Sequence, residues 1–153
     1  MNIENRIIEL GLVLPPPRAP AFSYAAVVLH GNLAWVSGQL PWRFDGSLPK
    51  GKLGAEISIE EGQEAARCCV LNALSVLKQR TGSLDSVEQV IKLTGFVASA
   101  TGFVDQPLVM DGASKLILDI FGETGRHARS AVGMAELPRG VPIEIEFVFA
   151  IQA

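Results

Sequence analysis

The chain has 153 residues, 48% hydrophobic and 19% charged, with a formal net charge of −3. One domain of that length buries a core without metal or disulfide staples, and so large an apolar share excludes a disordered chain. The acidic balance argues against nucleic acid as the main partner, because a phosphate backbone is met by a basic excess or stripe.

The segment from Ile3 to Leu12 reads as a short helix that offers Ile7, Ile8 and Leu12 for packing. Gly11 and the run Pro15-Pro16-Pro17 end it, since proline lacks the backbone donor and restrains the residue before it. Leu14 to Pro20 follows as an extended arm. Tyr24 to Leu29 is β-like, His30-Gly31-Asn32 reads as a turn, and Leu33 to Val36 as the returning strand of a hairpin. Arg43 to Glu56, rich in Gly, Pro, Lys and Asp, is predicted to be a loop.

The strongest helix signal runs from Ile59 to Arg80. Ser58 and Glu61 have the capping-box spacing, Ala66, Val70, Ala73 and Leu77 form an apolar stripe, and Gly82 suits the C-cap. Val90 to Val97 is a strand rich in β-formers. A second helix is predicted after Asp105, with Pro107 in its first turn and Val109, Ala113, Leu116, Ile117 and Ile120 buried. Gly112 is expected to weaken it by about 1 kcal/mol relative to alanine, and Gly122 stops it. Two closing strands remain, Ser130 to Glu136 and Pro142 to Ile151, joined by Leu137 to Gly140. The order predicts an α+β domain with two long helices packed on one face of a mixed sheet. Alternation puts Ile143, Ile145 and Phe147 on one face of the last strand and Glu144 and Glu146 on the other.

Cys68 and Cys69 are adjacent and point apart on a helix, so no internal bridge is expected and a reducing compartment fits. Cys69 flanks the apolar stripe and reads as a packed side chain. The N-terminus lacks a signal-peptide layout and no apolar run approaches a membrane span, so the expected location is cytoplasmic.

Signatures of chemistry are few. There is no Gly-x-Ser-x-Gly elbow and no phosphate-binding Gly-x-x-x-x-Gly-Lys loop. With only His30 and His127, and no suitable cysteine or carboxylate spacing, no metal site is expected. What remains is Arg126-His127-Ala128-Arg129. Arg129 reads either as a solvated or salt-bridged arginine, or as a carboxylate clamp built on the planar guanidinium fork. His127 reads either as a hydrogen-bonded surface histidine or as a base.

Ala128-Arg129-Ser130-Ala131-Val132, then Leu137-Pro138, then Val141 to Glu146 resembles the C-terminal signature of the Rid family (the YjgF/UK114 group, also labelled endoribonuclease L-PSP). Val36-Ser37-Gly38-Gln39-Leu40-Pro41, with Tyr24 upstream, resembles its N-terminal motif. The resemblance covers residues 22–153 and leaves 1–21 as an N-terminal extension. It implies a chorismate mutase-like fold of the bacillary type, a homotrimer with intersubunit clefts, and no cofactor. It further implies hydrolysis of reactive enamines and imines, such as 2-aminoacrylate and small 2-imino acids, to 2-keto acids and ammonia. Arg129 then holds the substrate carboxylate and Glu144 is its catalytic partner. Tyr24, Ser37 and Ser114 contribute to substrate binding, Ser114 lying near a position where the family commonly has asparagine. Ala131 stands where cysteine is frequent and Phe22-Ser23 where Gly-Pro is usual, which marks a divergent subgroup. A trimer that binds small carboxylates without turnover, and an endoribonuclease, are the alternatives.

Overall fold

The computed structural model describes residues 2–152. A hairpin of β1 (Val27–His30) and β2 (Leu33–Gln39) opens the sheet, and β3 (Val87–Ala98), β4 (Ala128–Met134) and β5 (Ile143–Ile151) complete it in the order β1-β2-β5-β3-β4. All neighbours are antiparallel except β3 and β4, which run parallel. The two closing strands therefore do not pair with each other, because β3 lies between them. His30 belongs to β1 and pairs with Leu33, so the turn is the two-residue Gly31-Asn32, with Gly31 at φ 58°. Tyr24 precedes β1 instead of starting it, and β4 begins two residues earlier than predicted, at Ala128.

Helices α2 (Ile59–Thr81) and α3 (Gln106–Phe121) cover one face of the sheet. The Ser58 side chain accepts from Glu61 N–H at 3.1 Å while Glu61 accepts from Ser58 N–H at 2.8 Å, which closes the capping box. Burial of Leu74, Leu77, Leu116, Ile117, Phe147 and Phe149 between helices and sheet forms the core. Cys69 is completely buried there, and desolvation holds its thiol well above its ordinary range.

Gly112 sits where α3 crosses α2. A Cβ at that position would lie 2.4 Å from the Gln63 carbonyl oxygen and 2.7 Å from Gln63 Cα, both backbone atoms. The glycine permits the crossing, and this outweighs the helix-propensity penalty predicted for it. Gly112→Ala is thus expected to destabilise by about 1–3 kcal/mol, the range for an overpacked core, and not to gain the 1 kcal/mol that propensity alone suggests. Urea unfolding with an unchanged slope and a lower midpoint is the measurement.

The N-terminal helix α1 (Ile3–Glu9) is shorter than predicted. Ile3 and Ile7 are buried and Leu12 packs on the core, but Ile8 is 72% exposed. Neighbouring helical residues point about 100° apart, so one short helix resting on the domain cannot bury both Ile7 and Ile8. Polar contacts fasten the segment further. Ile3 N–H donates to Asp85 at 2.6 Å, Lys78 Nζ meets Glu4 at 2.7 Å, and the Ser75 hydroxyl donates to the Pro15 carbonyl at 2.6 Å. The Glu4 carboxyl is held below its ordinary range, chiefly by Lys78.

Candidate functional site

Register places the predicted site residues. A row of paired positions crosses the sheet from Val27 through Val36, Phe147 and Leu93 to Arg129. The first four are buried beneath the helices. Arg129 ends the row on edge strand β4, so its side chain emerges at the rim of the helical layer beside α3. A second row, Glu144, Phe96 and Val132, lies on the opposite face, since Phe96 is three residues from Leu93 and side chains alternate. Arg129 and Glu144 of one chain therefore point away from each other. Two separate candidate half-sites result.

At the first, Arg129 Nη1 donates to Asp111 Oδ1 at 2.9 Å and to Ser114 Oγ at 3.1 Å, and Nη2 donates to the Pro107 carbonyl at 3.2 Å. These use three of the guanidinium's five N–H donors and leave Nε and one Nη2 hydrogen for a ligand. His127 completes the cluster. Its Nδ1 lies 2.6 Å from the Gly125 carbonyl, which can only accept, so Nδ1 carries the proton. In the neutral ring Nε2 is then an acceptor, and the Ser114 hydroxyl donates to it at 2.9 Å. The hydrogen bonds run in one direction, from Arg129 to Ser114 to His127 to Gly125, and they orient the guanidinium. Ser114, a candidate substrate-binding residue, thus lies against Arg129. Asp111 was not predicted.

The second half-site is a cavity of about 520 Å³ on the open face, lined by Arg18, Phe22, Tyr24, Trp42, Arg139 and Glu144 among others. The Glu144 carboxyl lies over β2. A Cβ on Gly38 would sit 2.1 Å from Glu144 Oε1, so only glycine admits the carboxyl there. Desolvation first, and Glu146 second, raise the Glu144 carboxyl above its ordinary range. Tyr24 is half-exposed at the cavity wall. Ser37 stands just outside it and donates to the Ala25 carbonyl at 2.7 Å, which pins the segment carrying Tyr24. Arg139 holds a left-handed backbone, φ 60° and ψ 12°, the only positive φ outside glycine among the described residues. A non-glycine residue in this region costs on the order of 1–3 kcal/mol. Neither Arg18 nor Arg139 was singled out by the sequence.

Among the described residues, no group of three His, Cys, Asp or Glu side chains is arranged to hold a metal, and no helix is long and apolar enough to cross a membrane.

The fold and motifs match a known family. The model of the family described as "YjgF/chorismate mutase-like, putative endoribonuclease" matches residues 4–149. The chain belongs to the Rid (YjgF) family. Protein TCP17 of Trypanosoma cruzi is 47% identical over 146 residues, covering 95% of this chain and 91% of that one. The crystal structure of Atu1372 from Agrobacterium tumefaciens is 43% identical, with a TM-score of 0.89 over 99% of this chain and 92% of that one. A Shewanella oneidensis MR-1 structure, described as that of "a putative endoribonuclease", is 33% identical with a TM-score of 0.94, covering 99% of this chain and 100% of that one. The five-stranded mixed sheet with its two covering helices is thus the fold of this Rid family.

Proposed function

We propose that this Rid protein hydrolyses small 2-imino acids to 2-keto acids and ammonia, in clefts between the subunits of a homotrimer. The observation that carries the reading is the split site: an oriented Arg129 with free donors at one rim of the sheet, and a desolvated Glu144 on the opposite face. Only a second copy of the chain brings the two together. The open sheet face supports the assembly, because Val28 and Trp35 are each 52% exposed and Val132 is 42% exposed on it. Sedimentation at micromolar concentration is expected to give three times the 16.3 kDa chain mass. A monomer would leave Arg129 and Glu144 apart and end the proposal.

In such a cleft Arg129 holds the substrate carboxylate and so fixes the imine carbon. Water attacks that carbon, a C–O bond forms, and Glu144 takes the water's proton. The C=N π pair shifts to nitrogen, which takes up that proton to give a carbinolamine; a second proton, passed from its hydroxyl through Glu144 to nitrogen, lets the C–N bond break as the C=O forms, releasing ammonia and the 2-keto acid. No covalent nucleophile enters the step.

Glu144 gives the reaction a pH signature. The protonated carboxyl cannot accept the water's proton, so kcat/KM is expected to fall as pH drops through its raised pKa, above the ordinary 4.5. Glu144→Gln is expected to lose this acid limb along with most of the rate, while still binding pyruvate. Stability moves the opposite way. A raised carboxyl binds its proton more tightly in the folded state, so stability falls as pH rises from 4.5 through the folded pKa. Glu144→Gln is therefore expected to melt higher than the parent at neutral pH and to lose that advantage below 4.5. An acid limb unchanged in Glu144→Gln would remove Glu144 from proton transfer.

A further inference from the structure

The proposed reaction, with one carboxylate clamped by Arg129, has no use for two other arginines that line the Glu144 cavity. Arg18 comes from the N-terminal arm and Arg139 from the turn before β5. Their guanidinium carbons lie 4.0 Å and 5.4 Å from the centre of the Trp42 ring. A cation–π contact of this kind does not consume the guanidinium N–H donors, which stay available to an anion. Among the described residues neither arginine forms an ion pair, with Glu144 or with any other carboxylate. The cavity thus brings two guanidinium groups, without an ion-pair partner among the described residues, against one carboxyl. The strained backbone of Arg139 adds an independent sign of function, because Gly140 beside it shows how readily glycine would fill the left-handed position that arginine occupies.

We infer that Arg18 and Arg139 form a second anion site, which selects imino acids carrying a distal carboxylate. The inference rests on the proposed imine hydrolysis for its substrate class. Arg129 of one copy would hold the carboxylate next to the imine carbon, and the pair beside Trp42 of another copy would hold the distal one. The substrates are 2-iminosuccinate and 2-iminoglutarate, which must be supplied by oxidation of an acidic amino acid or by release from an enzyme that forms such an imine.

The full chain would be tested with imines generated in place by flavin oxidases from aspartate, glutamate, alanine and phenylalanine, with semicarbazide trapping of the unhydrolysed imine. The expected result is a kcat/KM at least tenfold higher for the dicarboxylic imines than for 2-iminopropanoate. Arg18→Gln and Arg139→Gly should each reduce that ratio severalfold, the latter without strain in the backbone. Arg43→Gln, which removes an arginine that does not line this cavity, controls for overall charge and should leave the ratio unchanged. Calorimetric binding of 2-oxoglutarate against pyruvate reads the same preference without turnover. If no imine is hydrolysed but 2-oxoglutarate binds better through Arg18 and Arg139, the enzymatic proposal fails and the anion site stands. If 2-iminopropanoate or the phenylalanine-derived imine is preferred, or if neither variant shifts the ratio and the 2-oxoglutarate preference, the anion site is wrong.

Discussion

Arg129→Ala is expected to slow hydrolysis of 2-iminopropanoate by roughly 30-fold to a few thousandfold. Truncating one partner of a desolvated, hydrogen-bonded charge pair costs about 2–5 kcal/mol, and each decade of rate corresponds to about 1.4 kcal/mol. Three contacts within the chain hold the guanidinium, so its free donors meet the ligand without further ordering. Arg129→Lys is expected to be nearly as poor. An ammonium can replace the charge but not the planar fork that spans Asp111, Ser114 and Pro107 while binding a carboxylate. The alanine variant should still fold, because the Asp111 it strands is 39% exposed and remains hydrated. Full activity in a folded Arg129→Ala protein would exclude the carboxylate clamp and favour the reading in which Asp111 makes Arg129 a purely structural ion pair.

The two candidate residue clusters were legible in the sequence to different depths. Arg129 stood out beside a glycine-bounded turn and alternation set Glu144 and Glu146 on one strand face, but only the resemblance to the Rid family singled out Glu144 and gave Arg129 a carboxylate-binding role. Their mutual placement was not legible. It depends on Leu93 pairing with Arg129 and Phe96 with Glu144, a non-local register that no spacing along the chain reveals. Asp111 was missed for the same reason, since only the packing of α3 against β4 brings it to Arg129. Local signals fared best. The capping box, the apolar stripe and Gly82 defined α2 to within one residue, because each acts through the backbone of its own helix. Gly112 shows the limit of local reasoning. Its propensity is a local property, whereas the backbone of Gln63 that it must clear lies on another helix. Arg18 and Arg139 carry no local signal either, being 121 positions apart in the numbering and joined only through Trp42.

Removing residues 2–17 is expected to lower the melting temperature by about 6–12 °C. Two buried isoleucines, Ile3 and Ile7, leave the core in that deletion. Each is worth about 1.5–3 kcal/mol of burial, and the entropy of ordering a short helix and arm offsets part of the sum. A net loss of about 3 kcal/mol, at about 2–4 °C per kcal/mol for a domain of this size, gives the stated range. The deletion also strips partners from the body of the domain. Asp85 loses the Ile3 N–H, Lys78 loses Glu4, and the buried Ser75 hydroxyl loses the Pro15 carbonyl but keeps Leu71. These losses are pH-dependent in one respect. Glu4 has a lowered pKa in the folded chain, so its contribution is present above its ordinary 4.5 and disappears as pH falls through the folded value. The gap in melting temperature between the parent and the shortened chain should therefore narrow in acid. Thermal melts at neutral pH and at pH values below that of the Glu4 carboxyl measure both effects. An unchanged melting temperature at neutral pH would mean that α1 rests on the domain without stabilising it, despite the burial of Ile3 and Ile7.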